Sequence, residues 1–447
     1  MFKSRNCSLV LSMVLTLSVL TGCSSKEPNK IESGKELSMV VATDIHYLAK
    51  SLNDNGEAFK KILASGDGRQ LNYIDEITDA FEYDVTKNKP DILIISGDLT
   101  YNGEKESHLK LAEKLEGIEE KAGTRVFVIP GNHDIENPWA RKFKGDKQYR
   151  ADTIDQGDFE KIYNNFGYDE AISKDKSTLS YLATPSEDVW LLMLDTNLYI
   201  YNDGLMPTTN GRITQETFQW IKECSELAKK NNAQIVTVMH HNLFNHSEVL
   251  YEGFTLDNSE EALKVFEDCG LNLTLSGHIH IQDIKSSDNG SNSIYDIVTS
   301  SLIMYPVQYG VLKYLPSKGF DYSTSQVAVE GWAKDTGIKD ENLNNFKEYS
   351  KKYFADESYN KAYEELFFLD SYSEEEIKLM AETMSLLNIN YFGGTTGAIS
   401  DQVINSEGYN LWVESDENFF KEYVRSMIQD SSTNNNQLQI PKQDSRK

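Results

Sequence analysis

The sequence predicts an α/β fold followed by a helical C-terminal region, and three observations carry that prediction. Short apolar runs of strand length alternate with segments whose apolar residues fall three and four apart. Five of those runs end in Asp, His or Asn rather than in an ordinary turn. Past about Pro316 the strand-like runs stop and helical periodicity takes over.

The first residues stand apart from this rhythm. Lys3 and Arg5 precede an apolar stretch from Leu9 to Leu20, which ends in Leu20-Thr21-Gly22-Cys23. A charged start, a short apolar segment and small residues describe a secretory signal, too short for a comfortable membrane span. The Leu-Thr-Gly-Cys ending resembles the lipobox of bacterial lipoproteins. That resemblance implies a signal peptide over residues 1–22, cleavage before Cys23 and a lipid-anchored, extracytoplasmic protein. Residues 23–36 are rich in Ser, Lys and Glu and read as a flexible tether. Two of the four cysteines, Cys7 and Cys23, lie in or directly after the signal segment. Cys224 and Cys269 sit among apolar neighbours and are expected as small buried hydrophobes; spacing leaves open whether they are bridged.

Residues 37–315 carry the alternation. Leu37 to Ala42 is a short apolar run ending in Thr43-Asp44-Ile45-His46. Leu71, Ile74, Ile77, Phe81 and Val85 then make one helical face, and Ile92 to Ile95 ends in Ser96-Gly97-Asp98. Leu111, Leu115 and Ile118 share a second helical face, on whose surface His108 is expected. Val126 to Ile129 runs into Pro130-Gly131-Asn132-His133-Asp134, where Pro-Gly forces a turn. Residues 138–184 break the rhythm and read as a surface insertion that serves as a lid or substrate wall. Trp190 to Leu194 then leads to a helix capped by Thr214. Ile235 to Met239 ends in His240-His241-Asn242, and Leu271 to Leu275 ends in Ser276-Gly277-His278-Ile279-His280.

Residues 316–429 read as a helical region. Phe346, Tyr349 and Tyr353 form one stripe; Ile377, Met380, Met384 and Leu387 form another, behind a capping box from Ser373 to Glu376. Amphipathic faces are normally buried ones, so these stripes read as core. Residues 430–447, rich in Asn, Gln and Ser, are expected to be disordered.

The net charge of −26 argues against nucleic acid as partner, because nothing offsets phosphate repulsion over the surface as a whole. A local cation can still reverse the field at one site, so a small anionic substrate stays open. Six of the eight histidines sit at the five strand ends, together with Asp44, Asp98 and Asn132. In open α/β sheets ligands gather outside the carboxyl ends of strands, so these turns should converge. Carboxylate and imidazole suit first-row ions such as Mn, Zn or Fe. The donors are too many for one tetrahedral ion, so two ions sharing a carboxylate is the economical arrangement.

Asp-x-His, Gly-Asp, Gly-Asn-His-Asp, a strand-end His and Gly-His-x-His, in that order, resemble the calcineurin-like metallophosphoesterase superfamily. The resemblance implies two β-sheets packed face to face and flanked by helices. It implies that Asp44, His46 and His280 hold a first ion, that Asp98 bridges, and that Asn132, His240 and His278 complete a second. His133 is not a ligand in that pattern; it is expected as general acid or phosphate clamp, with Asp134 as a candidate orienter. The implied reaction is hydrolysis of a phosphate monoester or diester by in-line attack of a metal-bridging hydroxide. Phosphoprotein phosphatases carry Asp-Arg-Gly after the Gly-Asp motif, whereas this chain reads Asp98-Leu99-Thr100, which turns the expectation away from phosphoproteins. His241, Arg141, Arg150 and Arg212 are candidates on the substrate side, since Arg forks match phosphate. The rival of another class is a lipoprotein that binds a metal or a phosphorylated solute without hydrolysis.

Overall fold

Every apolar run expected as a strand forms one, and the two sheets they build bring the five polar strand ends to one side. The computed structural model describes residues 30–64, 68–202, 204–287, 293–369, 371–429 and 434–442. The signal peptide and Cys23 lie outside the described residues. No described helix is long and apolar enough to cross a membrane.

The chain enters through β1 (Leu37–Ala42), β2 (Ile92–Ser96) and β3 (Arg125–Ile129), which pair in parallel. A small hairpin follows, β4 (Arg141–Lys144) with β5 (Lys147–Arg150). Then come β6 (Ala171–Lys174), β7 (Tyr181–Ala183), β8 (Val189–Leu194), β9 (Gln234–Met239), β10 (Leu273–Ser276), β11 (Asp283–Ser286) and β12 (Tyr295–Val298). They form one seven-stranded sheet in the order β11-β12-β10-β9-β8-β7-β6, whose centre β8, β9, β10 and β12 is parallel. The chain returns to the first sheet with β13 (Gln308–Leu315), β14 (Gly319–Gln326) and β15 (Gln437–Pro441), giving the order β15-β14-β13-β1-β2-β3.

Side-chain alternation shows how the sheets pack. In β8, Leu191 and Met193 join the core shared with Val41, Ile94 and Phe127 of the first sheet. Their neighbours Trp190, Leu192 and Leu194 face a second core with Phe218, Ile221 and Phe266 of the helices Gln215–Lys230 and Ser259–Cys269. A strand buried on both faces reads as a continuous apolar run, which is why these segments were so legible. The helices end as expected: Thr214 accepts from the Thr217 amide, and Ser373 and Glu376 close a capping box. Ile377, Met380, Met384 and Leu387 are all buried, with Ile279, Ile281 and Val298 of the second sheet.

Five expectations need correction. Residues 30–36 are not wholly a tether: Ile31 bridges Ser186, and Ser33 and Gly34 bond to Asp188. The segment 138–184 is only partly an insertion, because β6 and β7 extend the second sheet. The catalytic framework does not stop at residue 315, since β14 pairs along all of β13. The tail is not disordered throughout: Gln437-Leu438-Gln439-Ile440 pairs antiparallel with β14 and buries Ile440. An edge strand needs only one apolar face, so a polar composition hides it while a period of two marks it. Finally, His108 is fully buried in its helix, with Nδ1 at 2.9 Å from the Tyr163 hydroxyl and Nε2 at 2.8 Å from the Asp134 carbonyl. Cys224 and Cys269 are buried and unbridged.

The strand β15 has a measurable consequence. Ile440→Ala should lower unfolding stability by about 2–5 kcal/mol, the usual range for emptying a buried Ile site. Truncation after residue 433 should lower the melting temperature further; an unchanged melt would mean the ladder to β14 is not formed.

Candidate metal centre

The strand ends do converge, and they do so at the expense of backbone strain. Asp44 leaves β1 with φ of 50°, His46 follows at 45°, and Asp98 leaves β2 at 49°. His278 and His280, after β10, have φ of 70° and 66°. Left-handed geometry at a residue with a Cβ costs on the order of 1–3 kcal/mol each, and such strain gathers where function requires it. Here the strained residues bring their donor atoms within 4.8 Å of one another in each of two groups.

Two donor groups result, and Asp98 belongs to both. Asp44, His46, Asp98 and His280 form one; Asp98, His240 and His278 form the other. In the first, His46 Nε2 lies 3.1 Å from His280 Nε2 and 3.6 Å from Asp98 Oδ2, and His280 Nε2 lies 3.2 Å from Asp44 Oδ1. In the second, His240 Nε2 lies 3.4 Å from Asp98 Oδ1 and 3.0 Å from the side-chain oxygen of Asn132. Asp98 therefore offers one oxygen to each group.

The outer partners of the imidazoles select which nitrogen faces inward. His240 turns Nδ1 to the Ser96 carbonyl at 2.9 Å, leaving Nε2 for the site. His278 turns Nε2 to the Gly253 carbonyl at 2.8 Å, leaving Nδ1. His280 places Nδ1 against the Met304 sulfur at 3.1 Å.

Electrostatics tests whether a cation fits. Burial pushes the Asp98 carboxyl up, but His240 and His133 outweigh it and hold it well below the usual range. Burial also raises Asp44, and His280 brings it below its ordinary value. Burial and the charge of His240 drop His278 to about 3, and burial with the charge of Arg69 holds His46 well below its ordinary value. Only His240 is pulled the other way, up to about 9, because Asp98 outweighs its burial. Two ionised carboxylates thus lie buried among imidazoles that are mostly neutral. Asp44 Oδ1, Asp98 Oδ2 and the Asn132 amide nitrogen are buried without a hydrogen-bond partner. Buried charge of this kind is normally paired or bound to a metal. An oxygen and nitrogen donor set without thiolate fits first-row divalent ions.

His133 stands beside the donors. Its Nδ1 lies 2.8 Å from the Tyr101 carbonyl and 3.0 Å from Asn102 Oδ1, and its Nε2 faces Asp98 Oδ2 at 3.8 Å. Tyr101 and Asn102, not Asp134, orient it. Asp134 instead accepts from the amides of Leu99, Thr100 and Gly131, which ties the Gly-Asp turn to the Gly-Asn-His-Asp turn. A carboxylate next to a His in sequence looks like its orienter, but the turn carries it the other way.

Of the substrate-side candidates, His241 packs against His278, with ring centroids 4.7 Å apart. His241 is buried with both ring nitrogens engaged, by Thr196 Oγ1 at 2.8 Å and the Thr209 carbonyl at 2.9 Å, so it braces the wall. Arg141 bonds to the carbonyls of Pro138 and Ala140, Arg150 is exposed and reaches the Gly204 carbonyl, and Arg212 is exposed. The arginine whose charge is felt at both His46 and His133 is Arg69. It lies in an irregular connection without any motif, and only the fold brings it near.

The glycine of Gly-Asn-His-Asp is required by contact. A Cβ at Gly131 would sit 2.1 Å from Asp98 Oδ1 and 2.2 Å from its amide nitrogen. Gly131→Ala should therefore displace Asp98 and lower metal content at both donor groups, read by elemental analysis of the folded variant. Full loading of that variant would contradict the shared-carboxylate geometry.

Comparison with known proteins agrees with this geometry. Residues 37–282 match the calcineurin-like phosphoesterase family, and residues 328–434 match the C-terminal domain of cyclic nucleotide phosphodiesterase. A dimetal phosphatase from Danio rerio is similar at 12% identity and a TM-score of 0.44, over 65% of this chain and 95% of that one. GAP50, the anchor in the inner membrane complex of Plasmodium, is similar at 13% identity and a TM-score of 0.37, over 66% and 85%. A putative 5'-nucleotidase from Staphylococcus aureus is similar at 12% identity and a TM-score of 0.36, over 62% and 51%. No curated protein matches the chain. With the family match running over more than half of the chain and both donor groups inside it, the protein belongs to the calcineurin-like phosphoesterases, hydrolases of phosphoester bonds.

Proposed function

We propose that this hydrolase is a dinuclear-metal phosphodiesterase that opens the cyclic phosphodiester of a nucleotide. The observation that carries the dinuclear reading is the pair of donor groups joined at Asp98. The match of residues 328–434 to a cyclic nucleotide phosphodiesterase domain supports the substrate class. Asp44, His46 and His280 would hold one ion, Asn132, His240 and His278 the other, and Asp98 both. Bound there, paired divalent ions supply Lewis acidity, lowering the pKa of a water and neutralising charge that builds on phosphorus.

The chain's own residues do the rest. Water oxygen bonds to phosphorus, the bond to one ribose oxygen breaks in line, and a nucleoside monophosphate is left. His133, whose Nδ1–H is held by the Tyr101 carbonyl and Asn102 Oδ1, takes a proton from solvent on Nε2 and gives it to the departing ribose oxygen, while the proton lost by the attacking water goes to solvent. Arg69 grips a phosphate oxygen, the bidentate contact to which a guanidinium is suited. The acidic surface disfavours long polyanions and suits a small substrate.

A panel of 3',5'- and 2',3'-cyclic nucleotides, 5'-nucleotides and an aryl phosphate tests this reading. Stripping metal should abolish turnover, and Mn, Zn or Fe should restore it, with a cyclic nucleotide the preferred substrate. His133→Gln should retain both ions while kcat falls roughly 10²–10⁴-fold, the usual worth of a general acid. Preference for monoesters would sink the cyclic substrate, and stoichiometric binding without product would sink the hydrolase reading in favour of a solute-binding lipoprotein.

We further propose that the protein is lipid-anchored outside the cytoplasm, on the strength of the Leu20-Thr21-Gly22-Cys23 pattern. Two acyl chains on one residue suffice for stable anchoring. Intact-mass analysis of membrane-extracted protein should find a chain starting at lipidated Cys23; an unmodified start elsewhere overturns the anchor.

A further inference from the structure

A second buried charge cluster lies behind the metal centre, and none of its members donates to it. His246 is sandwiched between two buried carboxylates, with Nδ1 at 2.7 Å from Asp283 Oδ2 and Nε2 at 3.1 Å from Asp296 Oδ2. Lys285 Nζ lies 3.7 Å from Asp283 Oδ2, so two anions face two cations. Burial pulls the His246 pKa down, but the carboxylates outweigh it and lift it to about 9. Such a cluster contributes little net stability compared with an apolar core of the same volume, and its retention calls for a positional reason.

That reason is visible in what Asp296 holds. Its Oδ1 accepts from the Ser276 hydroxyl at 2.8 Å, at the end of β10 and two residues before His278. Its Oδ2 accepts from the amides of Leu243 and Phe244 at 2.7 and 3.2 Å, just past His240-His241-Asn242. Asn242 closes the gap between the two turns by donating to the Gly277 carbonyl at 2.9 Å, and the Gly277 amide donates to the His240 carbonyl at 3.0 Å. One carboxylate thus fastens both imidazole-bearing turns of the second donor group. From the other side, the Tyr391 hydroxyl in the helix Glu374–Phe392 donates to the His246 carbonyl at 3.0 Å.

We infer that Asp296, braced by His246 and Asp283, is the positioning residue of the second metal ion, and that Tyr391 couples the C-terminal helices to it. The inference rests on the dinuclear reading above. Asp44 and His46 of the first group follow β1, where the Ser301 hydroxyl donates to the Asp44 carbonyl at 2.7 Å; the first group meets the turn after β10 through His280 and through the His278 amide, which donates to Asp44 Oδ2 at 2.9 Å. Asp296 fastens both ligand-bearing turns of the second group but only one of the first, so disturbing it should weaken the second ion more than the first. This assigns the helical region a task beyond packing, since its Tyr391 touches the loop that carries the brace.

The test is a Mn titration of the metal-stripped full chain, as wild type, Asp296→Asn and Tyr391→Phe, with thermal melts to establish folding. Wild type should bind two ions per chain. Each folded variant should bind the second ion roughly 10–100-fold more weakly, the range known for lost support around a metal site, and the first with a clearly smaller loss. Excess Mn should restore turnover. Two ions bound with wild-type affinities in both variants would overturn the inference, and so would parallel loss of both ions. If Asp296→Asn does not fold, Tyr391→Phe, which removes one hydroxyl, decides alone. A wild-type count below two removes the dinuclear reading, and this inference falls with it.

Discussion

The carboxylate of Asp98 is the constraint on which the rest of the site depends. It lies just past the end of β2, buried, with one oxygen turned to each donor group. A buried anion without compensation is costly, and the molecule surrounds this one with imidazoles from three other strand ends. To reach it, Asp44, His46, His278 and His280 adopt left-handed backbone, and Gly131 gives up a side chain. These local costs are tolerable because the sheets behind them are buried on both faces and cannot relax.

Parallel strands explain why the donors meet. β1, β2 and β3 run together in one sheet, and β8, β9 and β10 run together in the other. Their carboxyl ends therefore open toward the same edge of the sandwich. Asp134 and Asn197 stitch that edge across strands: Asp134 joins the turns after β2 and β3, and Asn197 donates to the Pro130 carbonyl. The donors are held by hydrogen bonds to backbone, which rigid strand ends supply better than free loops do.

The helical region is continuous with this framework. Met380, Met384 and Tyr391 share a core with Ile279, Ile281 and Val298 of the second sheet, and the Gln282 amide donates to the Phe392 carbonyl. The last strand closes the same junction, since Asn435 and Asn436 bond to Gln282 and to the Gly393-Gly394 turn. Sheet, helices and tail strand therefore brace one another around the loop that ends at His280.

The sequence by itself determined the buried strands that carry the donors, the order of those donors and the family, because buried strands are continuous apolar runs and Asp, His and Asn at their ends contradict burial unless they converge. It also determined the two stripes of the C-terminal helices and their capping box. Only the tertiary structure decided which neighbour each polar atom takes. Asp134 turned out to bind backbone amides, His241 proved fully engaged, and His108 and His246 are buried with partners 26 to 55 residues away in sequence. Asn102 holds His133, and the charge of Arg69 is felt at His46, although no motif marks either residue. The reason is physical: hydrophobic period is a local property of the chain, whereas hydrogen bonds and charge pairs are set by which distant segments the packing brings within about 3 Å of one another.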